Sequence, residues 1–372
     1  MAFEWKQIEE DVAGQLGAAG EALKRIENRV TEHARGIAEG RYSREANVAR
    51  GQITPAGPRD VEALDEIAGA ERDELRRLGL AAIESGKVAV AVLNGGMATR
   101  FGGVVKGIVE VAGGRTFLEI KRDQARRLGP VPFLIMNSFA THAASLEFLR
   151  RKGLERDVLP FEQEVSVRLT PNGEPLFDAE GRVSLYAPGH GDFPESLDNS
   201  GLLRELARRG VEAILLSNVD NLGAELDPVL IGLHLKRARP LTAEVAKTLP
   251  GDVGGAPALV DGKPQIVEGF RFPPGFDFTR VPYLATNTFV ISRALLERQH
   301  QLSWFYVEKS VDGKTAVQME RLVNELSRFA PTTYLATPRG GPRGRFFPIK
   351  VREDLERLRA DPELVRRFAG IE

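Results

Sequence analysis

The sequence predicts an α/β fold in which helices cover both faces of a β-sheet. From Lys87 onward, short apolar runs typical of strands alternate with longer stretches typical of helices, as in a parallel sheet. The chain has 372 residues, of which 42% are hydrophobic, so it can bury a sizeable core. A glycine-rich turn follows the first apolar run, at the end of a strand where open α/β sheets bind their ligands.

The first 85 residues are predicted to form a helical segment. Residues 9–40 are rich in Ala, Glu and Arg, and a second helix is predicted to begin after Pro58 with Asp60 as its N-cap. Residues 52–58 contain prolines and a glycine and are predicted to be a linker. We expect these helices to pack as an accessory layer on the main domain.

The rest of the chain divides into predicted strands and helices. Strands are expected at 88–93, 131–136, 213–217, 242–247 and 283–291, and within 256–268 around a hairpin turn at Asp261-Gly262. Helices are expected at 116–128, 140–151, 195–208, 316–328 and 352–368. These elements predict a helical segment at 1–85, a catalytic domain at 86–350 and a short helical tail at 351–372.

Composition excludes several classes of protein. The net charge of −1 provides no broad field for binding nucleic acid or a membrane surface. The chain contains no cysteine, which excludes disulfides and thiolate metal sites and is typical of a reducing compartment. No apolar stretch is long enough to span a membrane, and the first residues do not resemble an export signal. We therefore expect a cytoplasmic protein with neither nucleic acid nor membrane as a partner.

The glycine-rich turn is the first candidate site. It contains Gly95, Gly96, Gly102 and Gly103, with Arg100 inside it and Lys106 just beyond. Glycines let backbone amides approach an anion closely, and the two cations supply charge, so the loop is suited to a triphosphate. Its spacing matches neither G-x-G-x-x-G nor a Walker A motif, and a mobile surface turn is the alternative interpretation.

Two further polar clusters lie next to predicted elements. The first, PGHGD (188–192), precedes a helix, and the second, SNVDNLG (217–223), follows a strand. In the second of them Asp220 comes just after a strand, where a carboxylate beside a triphosphate is a natural ligand for Mg²⁺. In the first, His190 lies between two glycines, where it can donate to a phosphate or a sugar hydroxyl. The alternatives are a turn or capping aspartate and a structural histidine. No nucleophile–base signal accompanies these clusters.

Taken in order, the motifs carry a resemblance to a known family. They are LNGGMATRFGG with Lys106, MNSFAT (136–141), FEQ (161–163), PGHGD (188–192), NSGLL (199–203), SNVDNLG (217–223), NTFVIS (287–292) and RFFPIK (345–350). From about residue 87 to 358 the chain resembles the eukaryotic-type UTP–glucose-1-phosphate uridylyltransferases, also called UDP-glucose pyrophosphorylases. LAAIESGKVAV (80–90) is also similar to the related UDP-N-acetylhexosamine pyrophosphorylases, whereas PGHGD and SNVDNLG favour the glucose branch.

The resemblance implies a Rossmann-like nucleotidyltransferase with a mixed central sheet, which forms UDP-glucose and pyrophosphate from UTP and glucose 1-phosphate with Mg²⁺. An oxygen of the sugar phosphate would attack the α-phosphorus of UTP directly. The implied roles are nucleotide contacts for Leu93, Gly95, Gly96, Gln163 and Gly189, phosphate contacts for Lys106, Arg100 and Lys247, the metal for Asp220, the sugar phosphate for His190 and Lys350, and glucose hydroxyls for Asn218, Glu268 and Asn287. Of these, Lys106, Lys350 and Arg100 are the expected catalytic residues.

The chain departs from the family pattern in several places. Ala98 replaces a glycine of the loop, Val105 replaces the proline before the catalytic lysine, and Ala285 and Thr288 replace asparagines near the sugar. The sequence also stops soon after Lys350, without the β-helix that family members use in oligomer contacts, so we expect a monomer. Three readings stay open beside UDP-glucose synthesis. They are a UDP-N-acetylhexosamine or broad UDP-sugar pyrophosphorylase, a non-catalytic nucleotide- or sugar-binding protein, and a glycosyltransferase, for which the expected Asp-x-Asp motif is missing.

Overall fold

The computed structural model describes residues 3–98 and 103–370, and its largest feature is an eight-stranded mixed sheet. The strands of the described chain are β1 (Ile53–Pro55), β2 (Glu62–Ala63), β3 (Val88–Asn94), β4 (Met97–Ala98), β5 (Val104–Val105), β6 (Glu110–Ala112), β7 (Arg115–Thr116), β8 (Phe133–Asn137), β9 (Leu159–Glu162), β10 (Ser166–Val167), β11 (Leu185–Tyr186), β12 (Ala213–Asn218), β13 (Leu241–Lys247), β14 (Ala256–Val260), β15 (Lys263–Val267), β16 (Tyr283–Ser292), β17 (Phe305–Val311), β18 (Lys314–Glu320) and β19 (Thr332–Ala336).

Helices cover both faces of the central sheet, as predicted. They are α1 (Glu9–Leu16), α2 (Glu21–Ala38), α3 (Gly69–Glu84), α4 (Phe117–Arg126), α5 (His142–Arg151), α6 (Phe193–Asn199), α7 (Leu202–Arg208), α8 (Pro228–Arg237), α9 (Arg293–Leu296), α10 (Leu326–Phe329), α11 (Arg352–Ala360) and α12 (Pro362–Ala369). No helix in the described ranges combines the length and apolar character needed to cross a membrane.

The strand order of the central sheet is β2-β19-β13-β16-β12-β3-β8-β9. Strand β16 runs antiparallel to both of its neighbours, and every other neighbouring pair is parallel. The mixed sheet is thereby confirmed, and the simpler expectation of a parallel sheet fails at β16 alone. Since β3 and β12 are parallel neighbours, their carboxyl ends meet at the same edge.

Alternate residues of β3 enter two separate cores. Val88, Val90 and Val92 belong to the core on one face, and Ala89 and Ala91 belong to the core on the other. Successive side chains of a strand point to opposite faces, so a continuous apolar run indicates a strand that is buried on both. The C-terminal helices α11 and α12 pack into the first core.

The N-terminal helices form the accessory layer that the sequence predicts. Residues of α1 and α2, among them Val12 and Val30, are buried against Val167, Tyr306 and Met319 of the β10–β11 pair and the β17–β18 hairpin. The third helix, α3, instead packs on α8. A Cβ on Gly79 would lie 1.8 Å from the carbonyl oxygen of Pro228, so the close approach of these two helices requires glycine.

Two predictions for the N-terminal segment are wrong. Residues 59–68 contain no helix, and the next helix, α3, starts only at Gly69. The Asp60 carboxylate accepts the Gly57 N–H at 2.8 Å and closes a turn instead of capping a helix. The predicted linker at 52–58 contains strand β1, which pairs with β14. Here tertiary pairing overrides the local turn signal.

The helix predicted at 316–328 is wrong in its first part, because residues 316–320 belong to strand β18, and helical structure is found only from Val323 onward. Asp312 and Gly313 both adopt positive φ, at 49° and 74°, and turn the chain from β17 into β18. The correctly predicted hairpin has the same signature, with Asp261 and Gly262 at φ 49° and 77°. An Asp-Gly pair between apolar alternations is a strong hairpin signal, so this turn was readable in the sequence.

Other predicted helices exist but are interrupted. The stretch 195–208 contains α6 and α7, separated at Ser200 and Gly201, and Gly201 has φ 79°. Residues 352–368 form α11 and α12, because Asp361 caps the second helix and Pro362 begins it. The stretch 9–40 likewise divides into α1 and α2, with Gly17 and Gly20 at positive φ between them.

Candidate active site

A cleft of about 500 Å³ opens at the carboxyl edge of β3 and β12. Most of the predicted site residues line it: Leu93, Gly95, Gly96, Lys106, Gln163, Gly189, His190, Asn218, Asp220 and Lys350. They come from segments that are distant in sequence, and the sheet brings them together. Arg100 lies outside the described residues.

Asn94 ties together the two ends of the glycine-rich loop, although it was not predicted as a site residue. Its side-chain amide donates to Asn137 Oδ1 at 2.7 Å and to Ser145 Oγ at 3.0 Å. Its Oδ1 accepts the N–H of Gly107, the residue after Lys106, at 3.1 Å. Asn94 is buried, so this polar network is held in a low dielectric and orders the loop termini.

Gly95 makes room for Gln163. A Cβ at Gly95 would lie 3.0 Å from Gln163 Nε2, closer than real Cβ contacts comfortably allow. The Gly95 carbonyl accepts the Ser138 hydroxyl at 2.8 Å, and the Gln163 N–H donates to the Asn137 carbonyl at 2.8 Å. The loop and the amide side chain are therefore positioned against the ends of β8 and β9, with both lining the cleft.

Lys106 and Asp220 form an ion pair in the cleft. The distance from Lys106 Nζ to Asp220 Oδ2 is 2.5 Å, and each side chain is 16% exposed. A lysine next to a carboxylate at the end of a strand places a phosphate-binding cation and a metal-binding oxygen side by side.

The segment that carries Lys350 is fastened to the segment that carries Asp220. The N–H of Ile349 donates to the Asp220 carbonyl at 3.0 Å, and the N–H of Phe347 donates to Asn221 Oδ1 at 2.8 Å. These bonds bring Lys350 to the cleft beside Asp220, although 130 positions separate the two in sequence.

Buried Lys121 holds the segment that follows Asp220 through hydrogen bonds to its backbone. Its Nζ donates to the carbonyls of Asn221 at 3.2 Å and Ala224 at 2.6 Å. Burial lowers the pKa of Lys121 to about 8. The residue was not predicted, and a lone lysine inside a helical pattern gives no sequence signal of this role.

His190 is held in one orientation by the chain packed against it. Its Nδ1 accepts the N–H of Val323 at 3.0 Å, so the proton of the neutral ring lies on Nε2. Burial lowers the pKa of His190 to about 4, which keeps the ring neutral at neutral pH. The neighbouring Gly189 has φ 99°, and a Cβ there would lie 2.7 Å from the Arg321 carbonyl oxygen. A neutral donor is therefore fixed in the wall of the cleft.

The PGHGD loop is anchored by Arg321. The guanidinium forms an ion pair with fully buried Asp192 and with Glu195, and it stacks over Trp304 at 4.4 Å from the ring centre. The Arg321 N–H also donates to the Pro188 carbonyl at 2.8 Å. The aspartate of the motif thus positions the loop and does not line the cleft.

Asn218 and Asn287 meet across the junction of β12 and β16. The Asn287 amide donates to Asn218 Oδ1 at 2.8 Å. Asn287 has φ 56° and lies where the β13–β16 register shifts, so a bulge turns its side chain towards Asn218. Among the described residues no donor reaches its buried Oδ1. A non-glycine residue in this conformation with an unpaired acceptor is characteristic of a ligand-binding position.

Three predicted residues of the described chain do not line the cleft: Asn287, which reaches it through its hydrogen bond to Asn218, Lys247 and Glu268. Lys247 is exposed at the end of β13. The Glu268 carboxylate accepts a hydrogen bond from Asn324, and burial raises its pKa. Their proposed contacts with phosphate and sugar stay predictions.

The structure adds Lys309, Gln318 and Glu320 to the wall of the cleft. They lie on the β17–β18 hairpin, where Lys309 Nζ is 2.6 Å from Glu320 Oε1. They were not predicted as site residues, since residues 316–320 of this hairpin were expected to be helical. The Asp312-Gly313 turn was the signal that would have placed them on facing strands.

The donor set limits the kind of metal site that the cleft can form. Among the described residues no group of three or more His, Asp or Glu side chains is arranged to hold an ion. Of the two carboxylates that the described residues bring to the cleft, Glu320 is paired with Lys309 and Asp220 lies beside Lys106; one carboxylate suits Mg²⁺ because this ion keeps several waters and takes substrate phosphate oxygens as ligands. The residues therefore fit a magnesium ion that takes Asp220 and phosphate oxygens as ligands.

Known proteins share this sequence pattern over much of the chain. A family model described as UTP–glucose-1-phosphate uridylyltransferase matches residues 37–362. The enzyme of that name from Solanum tuberosum is 31% identical over 296 residues, which cover 74% of this chain and 61% of the relative. A second, from Dictyostelium discoideum, is 30% identical over 295 residues, covering 72% and 57%. The chain thus spans less than two thirds of the length of these curated relatives.

Solved structures share the fold. UDP-glucose phosphorylase from Trypanosoma brucei aligns with a TM-score of 0.74 at 25% identity, covering 94% of this chain and 78% of that one. A UDP-glucose pyrophosphorylase variant from Leishmania major in complex with UDP-glucose gives 0.75 at 23% identity, with coverage of 96% and 80%. The uridine diphosphate N-acetylglucosamine pyrophosphorylase of T. brucei gives 0.71 at 17%, with coverage of 94% and 81%. Because the family model matches most of its length, the chain belongs to the UTP–glucose-1-phosphate uridylyltransferase family.

Proposed function

We propose that this protein transfers the uridylyl group of UTP to glucose 1-phosphate, forming UDP-glucose and pyrophosphate. The observation that carries the proposal is the convergence of Lys106, Asp220 and Lys350 on one cleft beside the glycine-rich loop. Both substrates are anions, and their repulsion must be offset before they can react. Two lysines in one cleft supply the charge that this step needs.

The reaction exchanges one P–O bond for another. An oxygen of the sugar phosphate bonds to the α-phosphorus of UTP, while the bond from that phosphorus to the β-bridging oxygen breaks and its electron pair leaves with pyrophosphate. The attacking phosphate is already ionised, so no general base or covalent intermediate is required. Positioning and charge stabilisation supply most of the catalysis in such transfers.

The residues of the cleft divide between the two substrates. Gly95, Gly96 and Gln163 would hold the uracil together with Leu93 and Gly189. Lys106 would contact the UTP phosphates, and Lys350 and the Nε2–H of His190 would contact the sugar phosphate. His190 donates without adding charge, because its ring is neutral. The Asn218–Asn287 pair would accept and donate hydrogen bonds to sugar hydroxyls.

We also propose that Mg²⁺ binds at Asp220 together with phosphate oxygens. When bound, the ion would neutralise charge on the phosphates and on the departing pyrophosphate. In the structure Asp220 is paired with Lys106, so the lysine already occupies the position of a counter-cation.

A broader sugar range is the second candidate, and it is favoured by the substitutions beside Asn287. Ala285 has no polar side chain, and the Thr288 hydroxyl is buried and accepts from Asn221 at 3.4 Å. Neither residue can make the hydrogen bonds of the asparagine amide that the family pattern has at these positions. The site therefore has fewer polar contacts with which to reject other sugars.

One assay tests these proposals. The full chain is incubated with UTP, Mg²⁺ and, in turn, the 1-phosphates of glucose, N-acetylglucosamine and galactose, and pyrophosphate release is measured. We expect the highest kcat/KM with glucose 1-phosphate. A higher value with N-acetylglucosamine 1-phosphate would overturn the sugar assignment and leave the mechanism. UTP binding without turnover of any sugar phosphate would identify a non-catalytic binding protein.

A further inference from the structure

A second cleft, of about 560 Å³, is lined by residues other than those of the active-site cleft. It lies between α3, the start of α8 and the loop that precedes Lys350. We call it the arginine cleft, because its lining includes Arg72, Arg76, Arg127, Arg343, Arg345 and Arg367.

Positive charge exceeds negative charge in the arginine cleft. The carboxylates in its lining are Asp65, Glu225 and Asp227, and Glu244 lies behind Arg345. The six arginines therefore face four carboxylates, which leaves a formal excess of two positive charges. Excess cationic charge in a concave site raises the local concentration of anions.

Glu244 and Glu225 hold inner arginines of the cleft in place. The Glu244 carboxylate accepts hydrogen bonds from Nε and Nη2 of buried Arg345, at 2.9 and 2.7 Å. Glu225 lies 3.2 Å from Arg367 and 3.7 Å from Arg127. Arg345 Nη2 also donates to the Glu225 carbonyl at 2.9 Å, so this guanidinium is engaged by the protein and fixes the inner wall of the cleft.

Asp227 is used twice, because its Oδ2 lies 3.7 Å from Arg345 Nη1 while its Oδ1 contacts the backbone. Its Oδ1 accepts the Val229 N–H at 2.7 Å and caps α8. The outer arginines differ from the inner ones. Arg76 and Arg343 are exposed, and within residues 3–98 and 103–370 no carboxylate forms an ion pair with either. The cleft thus combines fixed inner guanidinium groups with two outer ones available to a ligand.

We propose that the arginine cleft binds a small multivalent oxyanion, which is a molecule bearing phosphate groups or several carboxylates. Guanidinium groups recognise these oxyanions by paired, charge-assisted hydrogen bonds. The volume is that of a metabolite site. A charge excess of two suits a ligand with at least two negative charges.

The arginine cleft is built from the same two segments as the active-site cleft. A Cβ on Gly223 would lie 2.7 Å from the Arg345 carbonyl oxygen, so the Asp220 segment packs directly on the chain that leads to Lys350. Glu225 and Asp227 follow Asp220 within seven residues. An anion in the arginine cleft would therefore lie behind the segments that position Asp220 and Lys350.

Isothermal titration calorimetry on the full chain tests the site, with inorganic phosphate, a sugar bisphosphate and citrate as separate probes. Ionic strength is held constant with chloride, so that general screening does not contribute. We expect saturable binding of at least one multivalent probe, tighter than that of phosphate. The double variant Arg76→Gln/Arg343→Gln should weaken it roughly tenfold or more, because two charge-assisted contacts are lost. Both residues are exposed, and thermal unfolding checks that the variant folds.

Two controls separate this site from the alternatives. Arg77→Gln changes an exposed arginine of the same helix that does not line the cleft, and it should leave binding unchanged. Lys106→Gln/Lys350→Gln removes the two lysine charges of the active-site cleft. It should also leave the affinity of the probe for the arginine cleft unchanged. Loss of binding in this second variant alone would overturn the proposal. Absence of saturable binding by any probe, or unchanged binding in Arg76→Gln/Arg343→Gln, would overturn it as well.

Discussion

Lys106 Nζ lies 2.5 Å from Asp220 Oδ2, and this ion pair joins the end of the glycine-rich loop to the carboxyl end of β12. The two residues are 114 positions apart in sequence. Each would otherwise be a partly buried charge, so each compensates the other in the structure. A nucleotide with its metal would replace both partners at once, since its phosphates pair with the lysine and its cation pairs with the carboxylate.

Replacing either cleft lysine should slow the reaction severely. We expect Lys106→Ala and Lys350→Ala each to lower kcat by roughly 10²–10³, as loss of one preorganised charge contact does in other enzymes. Lys87→Ala is the matched control, because Lys87 precedes β3 at the opposite edge of the sheet and pairs with Glu212 on the surface. Pyrophosphate release gives kcat, and thermal unfolding verifies the fold. Near-normal rates for both cleft variants would show that the assigned roles are wrong.

The carboxylate of Asp220 should set the magnesium requirement. In Asp220→Asn we expect the Mg²⁺ concentration for half-maximal activity to rise about tenfold or more, because the anionic ligand is gone. Glu320→Gln tests the other carboxylate of the cleft, which is paired with Lys309, and should change this value little. The measurement is activity against free Mg²⁺ at saturating UTP. An unchanged requirement in Asp220→Asn would remove the residue from the metal site.

Two substitutions of Asn287 should distinguish the effect of backbone strain from the effect of sugar binding. Its φ of 56° favours glycine over alanine, so Asn287→Gly should be more stable than Asn287→Ala by roughly 1 kcal/mol. Both variants lose the hydrogen bond to Asn218, and both should raise KM for glucose 1-phosphate more than KM for UTP. Urea unfolding and steady-state kinetics give the two readouts. A normal KM in the glycine variant would mean that the side chain does not contact the sugar.

The buried pair of Arg345 and Glu244 should matter far more for stability than a surface pair. Glu244 is 1% exposed and Arg345 5%, so Glu244→Gln removes the nearer counter-charge of a buried cation and leaves only Asp227, 3.7 Å from Arg345 Nη1. We expect a loss of about 3–5 kcal/mol in the free energy of unfolding. Glu212→Gln, which breaks the exposed pair with Lys87, should cost less than about 1 kcal/mol. Equal losses in the two variants would contradict this account.

Acid should destabilise the protein partly through His234. Burial lowers the pKa of this histidine from 6.5 to about 4, and its ring nitrogens lie 2.9 Å from Thr242 Oγ1 and 3.0 Å from Ser292 Oγ. Below pH 6.5 the unfolded chain gains a proton that the folded chain takes up only near pH 4. The free energy of unfolding therefore has its full contribution from neutral His234 above pH 6.5. This contribution is lost as the pH falls towards 4.

Comparison with His234→Gln isolates this effect. Between pH 6.5 and 4, the free energy of unfolding of the wild type should fall relative to that of the variant, by up to roughly 1.4 kcal/mol per pH unit. Urea unfolding at several pH values measures the difference. Parallel pH profiles of the two proteins would contradict the assignment.

Local sequence patterns predicted five of the eight strands of the central sheet, β3, β8, β12, β13 and β16, and missed β2, β9 and β19. The run from Val88 to Leu93 is apolar at every position because both faces of β3 are buried, and β12 shows the same pattern. The patterns failed where long-range pairing decides conformation. Residues 314–320 are a strand because β17 pairs with them, and residues 53–55 are a strand because β14 does.

The sequence by itself determined the α/β class, the glycine-rich loop and most of the residue types that meet in the cleft, because ordered motifs and strand ends are local properties of the chain. Only the tertiary structure decided that Lys106 pairs with Asp220, that a bulge in β16 turns Asn287 towards Asn218, and that buried Lys121 supports the segment that follows Asp220. It also decided that the β17–β18 hairpin closes one wall and that an arginine cleft lies behind the other. These relations join residues far apart in the chain, and their energies depend on burial and distance, which the order of residues does not specify.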